Sequence, residues 1–272
     1  MKVSVPGAEL HYATRGQGPV CFVLSAIGTQ PYERMMPERS SEQLVFVDLR
    51  GGGQSTGQPA DLTFDVLAQD LEAVRRALGV ERVRVLGHSI LGILAIEYAK
   101  RCPESVSHAI TVGTPPRGGM DWLSEKATAF FERDASQGRK RVWRENREAL
   151  GLDPPQGLAF VAQAPMRFFD PRTDVGSLFA GAEVRPALLA HLLGALTSEW
   201  EVTRNAQSLH VPILLAHGRY DYTVPWVLWD GIAEQLPEAT RHVFQRSGHH
   251  PFCEEPDEFA RVVREWMNHE AK

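Results

Sequence analysis

Cysteine is scarce in this sequence. The chain of 272 residues contains three cysteines, Cys21, Cys102 and Cys253, which stand far apart and form no Cys-x-x-Cys pair. Disulfide frameworks need an even set of thiols, and zinc sites need clustered thiols and imidazoles. We therefore expect three reduced thiols, no metal site and a cytoplasmic location.

Long apolar runs and an excess of basic residues are also missing. No apolar stretch reaches the ~20 residues of a membrane helix, and residues 1–10 lack the apolar centre of a signal peptide. Lys and Arg total 29 against 34 Asp and Glu, a formal net charge of −5, whereas nucleic acid binding requires concentrated basic residues. We expect neither a membrane nor a nucleic acid as partner. A homodimer is possible on the sequence evidence.

The sequence does contain a series of short apolar runs that alternate with helical patterns. A hairpin over 1–12 comes first. The six further runs are 20–25, 44–48, 83–87, 108–113, 211–218 and 241–245. Helical periodicity over 67–78 and an apolar segment over 89–101 lie between them, and runs that are apolar on both faces are typical of a covered parallel sheet. The order predicts an α/β fold with a mostly parallel eight-stranded sheet flanked by helices.

Residues 115–205 interrupt this alternation. The segment contains charged and aromatic helical stretches without a convincing strand, and ~90 residues are too many for a plain loop. We interpret it as a helical lid inserted into a core domain that consists of residues 1–114 and 206–272.

A serine directly follows one of the predicted strands. The segment 83–92 reads VRVLGHSILG: a strand, then Gly87-His88-Ser89, then a buried helix. A serine at a strand-to-helix turn is held tightly with its hydroxyl exposed at the carboxyl edge of the sheet, which suits a nucleophile. A helix N-cap is the alternative role. Leu91 stands where such turns usually have glycine, and we predict that its side chain points into the helix–sheet interface.

A serine hydroxyl needs a base, and the base needs an acid that orients it. Asp221 and His249 each come just beyond a predicted strand, so both should lie at the same sheet edge as Ser89. We assign the serine as nucleophile, the histidine as base and the aspartate as acid. The alternatives are Asp48 and Asp230 for the acid and His250 for the base.

Acyl transfer also requires N–H donors for the developing oxyanion. One candidate is the backbone N–H of Ile90, which opens the helix after the serine. The other is the N–H of Ile27, in the loop after the strand 20–25. We predict that these two amides form the oxyanion hole.

Substrate contacts are expected near these groups and from the lid. Ala26 lies beside the oxyanion loop, and His88 precedes the nucleophile. In the lid we assign Phe130, Trp143 and Phe168 to an apolar substrate pocket, although such side chains can also form the core of the lid itself. The lid acids Glu183, Glu199 and Glu201 are expected on a solvated face, with binding of a substrate amine as the alternative.

Taken in chain order, four segments resemble one family. They are DLRGGGQS (48–55), LGHSILG (86–92), HGRYDYTVP (217–225) and SGHHPFCEEP (247–256). The sequence is similar to the proline-iminopeptidase-like branch of the α/β-hydrolase superfamily, in which the triad follows the chain order Ser, Asp, His. The resemblance implies the α/β-hydrolase fold, with Ser89 as nucleophile, Asp221 as acid, His249 as base and Ile27 near the oxyanion.

These observations predict a serine hydrolase that cleaves an ester, lactone or amide of a small, fairly apolar carbonyl compound through an acyl-enzyme, without a cofactor. A proline-iminopeptidase-like aminopeptidase is the second possibility. A non-hydrolytic lyase or a ligand-binding protein is the third, since one fold supports many functions.

Overall fold

The structure is a computed structural model that describes residues 1–37, 42–150 and 162–270. Within these residues eight strands form one sheet. The strands are β1 Lys2–Val5, β2 Ala8–Arg15, β3 Val20–Ser25, β4 Gln43–Asp48, β5 Val83–His88, β6 Val106–Val112, β7 Ile213–Gly218 and β8 Ala239–Phe244. All the predicted strands are present, with ends that move by three residues or fewer.

The sheet has the spatial order β1-β2-β4-β3-β5-β6-β7-β8. The two N-terminal strands pair antiparallel with their neighbours, and the other six run parallel. Every residue of β3 and β7 is buried, as expected for strands covered on both faces. The predicted α/β fold with a mostly parallel eight-stranded sheet is confirmed.

Helices cover both faces of this sheet. They are α1 Thr29–Met35, α2 Phe64–Ala77 and α3 Ile90–Arg101 in the first part of the chain. The Thr63 hydroxyl caps α2 by accepting from the Val66 N–H at 3.1 Å. Ten of the twelve residues of α3 are buried, which accounts for its apolar sequence and fixes its first turn rigidly against the sheet.

The chain between β6 and β7 is mainly helical where it is described. The helices are α4 Met120–Asp134, α5 Gln137–Leu150, α6 Ala164–Arg167, α7 Val175–Leu178 and α8 Pro186–His191, followed by a π-helical turn over Leu192–Leu196. A single bridge pairs Arg117 with Glu201, so the two ends of the segment lie side by side. Residues 151–161 of the predicted lid lie outside the described residues.

The last part of the chain carries short 3-10 turns and two helices. The turns are Ala206–Ser208, Trp226–Trp229 and Ala233–Gln235, with an earlier one at Pro59–Asp61. The helices are α9 Pro251–Glu254 and α10 Pro256–Glu270. None of the described helices combines the length and the apolar character needed to cross a bilayer.

Apolar side chains pack on both faces of the sheet. One cluster joins the sheet to α2 and α3, and a second joins it to α1 and α10. Because both faces are covered, loops that carry chemistry are left to the sheet edge at which the parallel strands end.

Candidate active site

Ser89 occupies a strained turn between β5 and α3. Its backbone has φ 57° and ψ −129°, and among the described non-glycine residues only Asn205 also has a positive φ. Such a conformation costs about 1–3 kcal/mol and persists only where the surroundings enforce it. Here the Ser89 N–H donates to the Val112 carbonyl at 2.8 Å, and the Thr114 hydroxyl donates to the Ser89 carbonyl at 2.9 Å. The β6 end therefore holds this serine in place.

Glycines make this turn sterically possible. A Cβ on Gly87 would lie 2.2 Å from the Leu91 carbonyl oxygen, and a Cβ on Gly92 would lie 1.9 Å from Thr114 Oγ1. In the first turn of α3, the position that requires glycine is therefore residue 92, one residue after Leu91. Leu91 is 4% exposed and packs in the core between α3 and the sheet, as predicted, although it also borders the cavity described below.

Asp221 and His249 form a buried pair. The imidazole Nδ1 lies 2.6 Å from Asp221 Oδ2. The other oxygen, Oδ1, accepts from the N–H groups of Thr223 at 2.9 Å and Val224 at 2.8 Å. A carboxylate accepts hydrogen bonds, so Nδ1 carries the proton and Nε2 presents its lone pair. Nε2 is buried and has no hydrogen-bond partner among the described residues.

Gly113 shows how closely these groups approach the serine. A Cβ on this glycine would lie 2.7 Å from His249 Nδ1 and 3.1 Å from Asp221 Oδ2. Gly113 sits between Val112 and Thr114, the two residues that hold the serine turn. Gly113 therefore lies between the turn of Ser89 and the pair of His249 and Asp221, and no hydrogen bond from the serine hydroxyl to Nε2 is found among the described residues.

Burial sets the charge state of the pair. Loss of water around His249, together with the nearby positive charge of Arg167, lowers the pKa of the imidazole well below its usual value. Burial raises the pKa of Asp221, and the N–H groups of Val224 and Thr223 oppose that rise. A neutral imidazole at neutral pH is the form that can accept a proton.

The alternative acids and base are engaged elsewhere. Asp48 Oδ2 lies 2.9 Å from His11 Nδ1, and Asp230 accepts from Arg241 at 2.7 Å. The His250 ring stacks on Phe168, with centroids 4.6 Å apart and planes at 5°. None of these contacts suits the orientation of a base beside Ser89.

His88 and Glu254 both bind the backbone of the His249 loop; the sequence predicted His88 only as a substrate contact and gave Glu254 no role. His88 Nε2 lies 3.0 Å from the His249 carbonyl oxygen, so Nε2 donates and Nδ1 accepts from the Tyr32 hydroxyl at 3.1 Å. Glu254 Oε2 accepts from the N–H groups of Gly248 at 2.8 Å and His250 at 3.3 Å. Glu254 is the last residue of the short helix α9, five residues after His249, and its sequence position alone gave no signal for this role.

Helix α6 ties the acid and base loops together. The His249 N–H donates to the Arg167 carbonyl at 2.5 Å, and the Tyr222 N–H donates to the Met166 carbonyl at 2.9 Å. The Thr223 hydroxyl also donates to the Met166 carbonyl, at 3.3 Å. This segment, which looks like an ordinary part of the lid in the sequence, is therefore part of the site.

The two predicted oxyanion donors differ in their present partners. Ile90 is the first residue of α3, so its N–H has no acceptor within that helix. The Ile27 N–H donates to Ser25 Oγ at 3.2 Å, and the Ser25 hydroxyl donates to the Gly28 carbonyl at 2.7 Å. Ile27 must exchange its serine partner before it can bind an oxyanion.

A largely apolar cavity of about 200 Å³ opens above the serine. Pockets for drug-sized ligands measure ~300–1,000 Å³, so this one suits a small substrate. Its described lining residues are Ala26, Ile27, Tyr32, His88, Ser89, Ile90, Leu91, Pro115, Met120, Leu123, Arg167, Phe179, Leu189, Leu193, Thr223 and Val224. Ala26 and His88 are among these residues, and their contact with a substrate stays a prediction.

The three lid aromatics predicted to bind substrate have other neighbours in the structure. Phe130, Trp143 and Phe168 are absent from the described lining of the cavity. Phe130 packs on Tyr222, with centroids 5.5 Å apart, Trp143 packs on Phe131 at 6.2 Å, and Phe168 stacks on His250. We correct their assignment: Phe130 and Phe168 pack against the loops of Tyr222 and His250, and Trp143 packs against helix α4, because large apolar side chains pack wherever neighbouring elements bury them.

Among the described residues, no group of three or more His, Cys, Asp or Glu side chains could hold a metal ion. The lid acids Glu199 and Glu201 border a different surface groove. The Glu183 N–H donates to the Ile27 carbonyl at 2.7 Å, which anchors the oxyanion loop.

Comparison with known proteins agrees with this architecture. A sequence profile of the alpha/beta hydrolase fold matches residues 31–256. The chain is 28% identical over 272 residues to the AB hydrolase superfamily protein YclE of Bacillus subtilis (strain 168), with 96% of each chain covered. It is 30% identical over 266 residues to a pimeloyl-acyl-carrier-protein methyl ester esterase of Nitrosomonas europaea, with coverage of 93% of this chain and 97% of the relative.

Solved structures share the fold. Proline iminopeptidase of Mycobacterium smegmatis superposes with a TM-score of 0.76 at 22% identity, covering 99% of this chain and 97% of that one. A thermophilic esterase of Thermogutta terrifontis superposes with a TM-score of 0.72 at 22% identity, covering 98% of this chain and 97% of the esterase. The chain therefore belongs to the α/β-hydrolase family and is a hydrolase of that fold.

Proposed function

We propose that this protein is a serine hydrolase of carboxylic esters with small, mostly apolar bodies. The observation that carries the proposal is the strained turn of Ser89 in the lining of the cavity, together with the buried pair of His249 and Asp221. A strained serine next to a neutral imidazole that an aspartate orients has the parts of an acyl-transfer nucleophile.

The proposed reaction has two steps. Ser89 Oγ attacks the ester carbonyl while His249 Nε2 takes the hydroxyl proton, and the same proton is then given to the departing alkoxide. Water, activated by His249, cleaves the acyl-enzyme and releases the acid. Asp221 stabilises the imidazolium formed in each step, and the Ile90 N–H, joined by that of Ile27 once it leaves Ser25 Oγ, stabilises the oxyanion.

The relatives favour an ester over an amide. Several curated relatives with full-length coverage are methyl ester esterases, and their identity to this chain is 27–30%. We also propose that residues 115–205 act as the lid over a core of 1–114 and 206–272, because α4 and α8 supply apolar lining to the cavity.

An aminopeptidase is less well supported by the site. A substrate with a free ammonium group needs a carboxylate to receive it, and no Asp or Glu occurs in the described lining of the cavity. The charged side chain that does line it is Arg167, which repels an ammonium. The similarity to proline iminopeptidase at 22% identity concerns the fold.

Covalent labelling tests the proposal. A fluorophosphonate probe should label the wild type and leave Ser89→Ala unlabelled, and p-nitrophenyl butyrate hydrolysis should fall at least ~1,000-fold in that variant. Ser208→Ala is the matched control, since Ser208 is a serine in a 3-10 turn of the same chain outside the described lining of the cavity.

Three results would count against the proposal. Equal labelling of the wild type and Ser89→Ala would assign the nucleophile elsewhere. No labelling and no ester turnover by a folded wild type would favour a lyase or a ligand-binding protein. Faster cleavage of prolyl-arylamides than of esters would favour the aminopeptidase.

A further inference from the structure

Helix α6 determines how the loops of Asp221 and His249 stand relative to each other. The Met166 carbonyl accepts from the Tyr222 N–H in the acid loop. The next carbonyl, that of Arg167, accepts from the His249 N–H in the base loop. Consecutive peptide groups of one short helix therefore bind both loops, and a displacement of this helix would change the position of the base relative to the nucleophile.

The buried side chain of Arg139, from helix α5, binds the end of α6. Its Nη1 donates to the carbonyls of Pro165 and Phe168, both at 2.7 Å. Its Nη2 donates to the Phe169 carbonyl at 2.5 Å, and the guanidinium lies over the ring of Tyr222, 5.4 Å from its centroid. A helix leaves its last carbonyls without partners, and a cation near them is favourable. The guanidinium thus supplies hydrogen bonds that this short helix cannot make within itself.

The carboxylate of Glu254 binds the same segment from the side of the base loop. Its Oε1 accepts from the Phe169 N–H at 2.6 Å. Its Oε2 accepts from the N–H groups of Gly248 at 2.8 Å and His250 at 3.3 Å. One carboxylate therefore joins the end of α6 to the peptide groups on either side of His249.

Neither side chain belongs to the described lining of the cavity. We propose that Arg139 and Glu254 are positioning residues, which hold α6 where it aims the His249 imidazole at Ser89. This inference rests on the proposed ester hydrolysis at Ser89, and it assigns a role in that reaction to an arginine of the lid.

Mild substitutions test the role of each side chain. Arg139→Lys keeps the charge but lacks the planar fork that binds three carbonyls. Glu254→Gln keeps the length but replaces one acceptor oxygen by an NH₂ donor. A displacement of the base by about 1 Å lowers the rate by roughly 100-fold. We therefore expect each variant to lower kcat for p-nitrophenyl butyrate at pH 8.5 by about 10- to 100-fold. KM should stay within about threefold, since His249 acts in both steps and neither residue lines the cavity.

The pair of Arg75 and Glu72 provides matched controls on helix α2. Arg75 Nη1 donates to the carbonyls of Val80 at 2.7 Å and Glu81 at 3.0 Å, beyond the end of that helix. Glu72 accepts from Arg75 and from the Tyr98 hydroxyl. Neither residue belongs to the described lining of the cavity. Arg75→Lys and Glu72→Gln should lower the urea midpoint as the site variants do, while kcat stays within about twofold of the wild type.

A variant with both substitutions, at Arg139 and at Glu254, shows whether the two side chains act through one element. Substitutions within one hydrogen-bond network are not additive. The loss of kcat in the double variant should therefore be well below the product of the two single losses. A loss equal to that product would overturn the shared action through α6.

The remaining outcomes separate this inference from the proposed function. Losses of kcat that are equal in the site variants and the controls, or a change confined to KM, overturn the positioning role. If Glu254→Gln does not fold, Glu254→Asp replaces it with the same expectation, because the shorter side chain keeps the charge but cannot span both partners. A wild type that hydrolyses no ester and resists fluorophosphonate removes the proposed function itself, whereas an active wild type with unaffected variants removes this inference alone.

Discussion

The contact between Gly113 and the catalytic pair allows a sharp test of the site. In Gly113→Ala the new Cβ would lie 2.7 Å from His249 Nδ1, about 0.7 Å inside ordinary contact distance. The ring cannot turn aside freely, because Nδ1 is bound to Asp221 at 2.6 Å. The imidazole must therefore shift, and with it the nitrogen that should accept the Ser89 proton.

The expected effect has two separable parts. A displacement of the base by about 1 Å lowers the rate by roughly 100-fold. The positive φ of Gly113, 56°, adds a conformational cost of about 1–2 kcal/mol for any residue with a Cβ. Gly79 has a similar φ of 68°, and a Cβ there would meet nothing within 4 Å. Gly79→Ala thus reproduces the backbone cost without touching the site.

Urea unfolding measures the stability of both variants, and p-nitrophenyl butyrate kinetics measure their activity. Both should lose about 1–2 kcal/mol of stability, and only Gly113→Ala should lose about 100-fold in kcat/KM. If Gly113→Ala stays within threefold of Gly79→Ala in kcat/KM, then either the base is not His249 or its position does not limit the reaction.

Three further predictions follow from buried histidines. Tyr32→Phe removes the donor to His88 Nδ1 and should cost about 1–3 kcal/mol in urea unfolding; an unchanged midpoint would contradict the bond. Because burial and Arg167 lower the pKa of His249, the acid limb of kcat/KM should have its midpoint below pH 6.5, and a midpoint near 7 would refute this. Burial lowers the pKa of His217 to about 3, so the unfolded state binds the extra proton below pH 6.5 and stability falls on acidification. Between pH 7 and 5, His217→Leu should lose about 2 kcal/mol less than the wild type; equal losses would show that the imidazole is not kept neutral.

The fold could be predicted because its signals are local. A strand buried on both faces, such as β3, must be apolar at every position, and that run is visible without knowledge of its neighbours. β6 began two residues earlier than predicted, at Val106. The predicted run began at His108, because the half-buried Ser107 interrupts the apolar pattern before it.

The site residues could be predicted only where the order of the strands determines their position. Ser89, Asp221 and His249 each follow a parallel strand, and strand ends converge at one edge whatever lies between them in sequence. Phe168 shows the limit of sequence-based prediction. An apolar ring indicates that the side chain will be buried, but it does not indicate which neighbours bury it. Arg167 shows it more strongly: an arginine in a polar lid is ordinarily solvated, whereas this one borders the cavity and its carbonyl accepts the His249 N–H.

The walls of the cavity differ in the free energy that their displacement would require. Displacing α6 would break the bonds of Arg167 and Met166 to the base and acid loops, as well as the 2.6 Å bond from the Phe169 N–H to Glu254. Each buried group left unpaired costs about 1–3 kcal/mol. By contrast, the described lining contributed by α4, α8 and the π-helical turn consists of methionine and leucine side chains, whose apolar contacts have no directional bonds to lose. The wall that contains Arg167 is therefore bonded to the loops of Asp221 and His249, whereas the wall of methionine and leucine side chains has no such bonds and is the one that we expect to move.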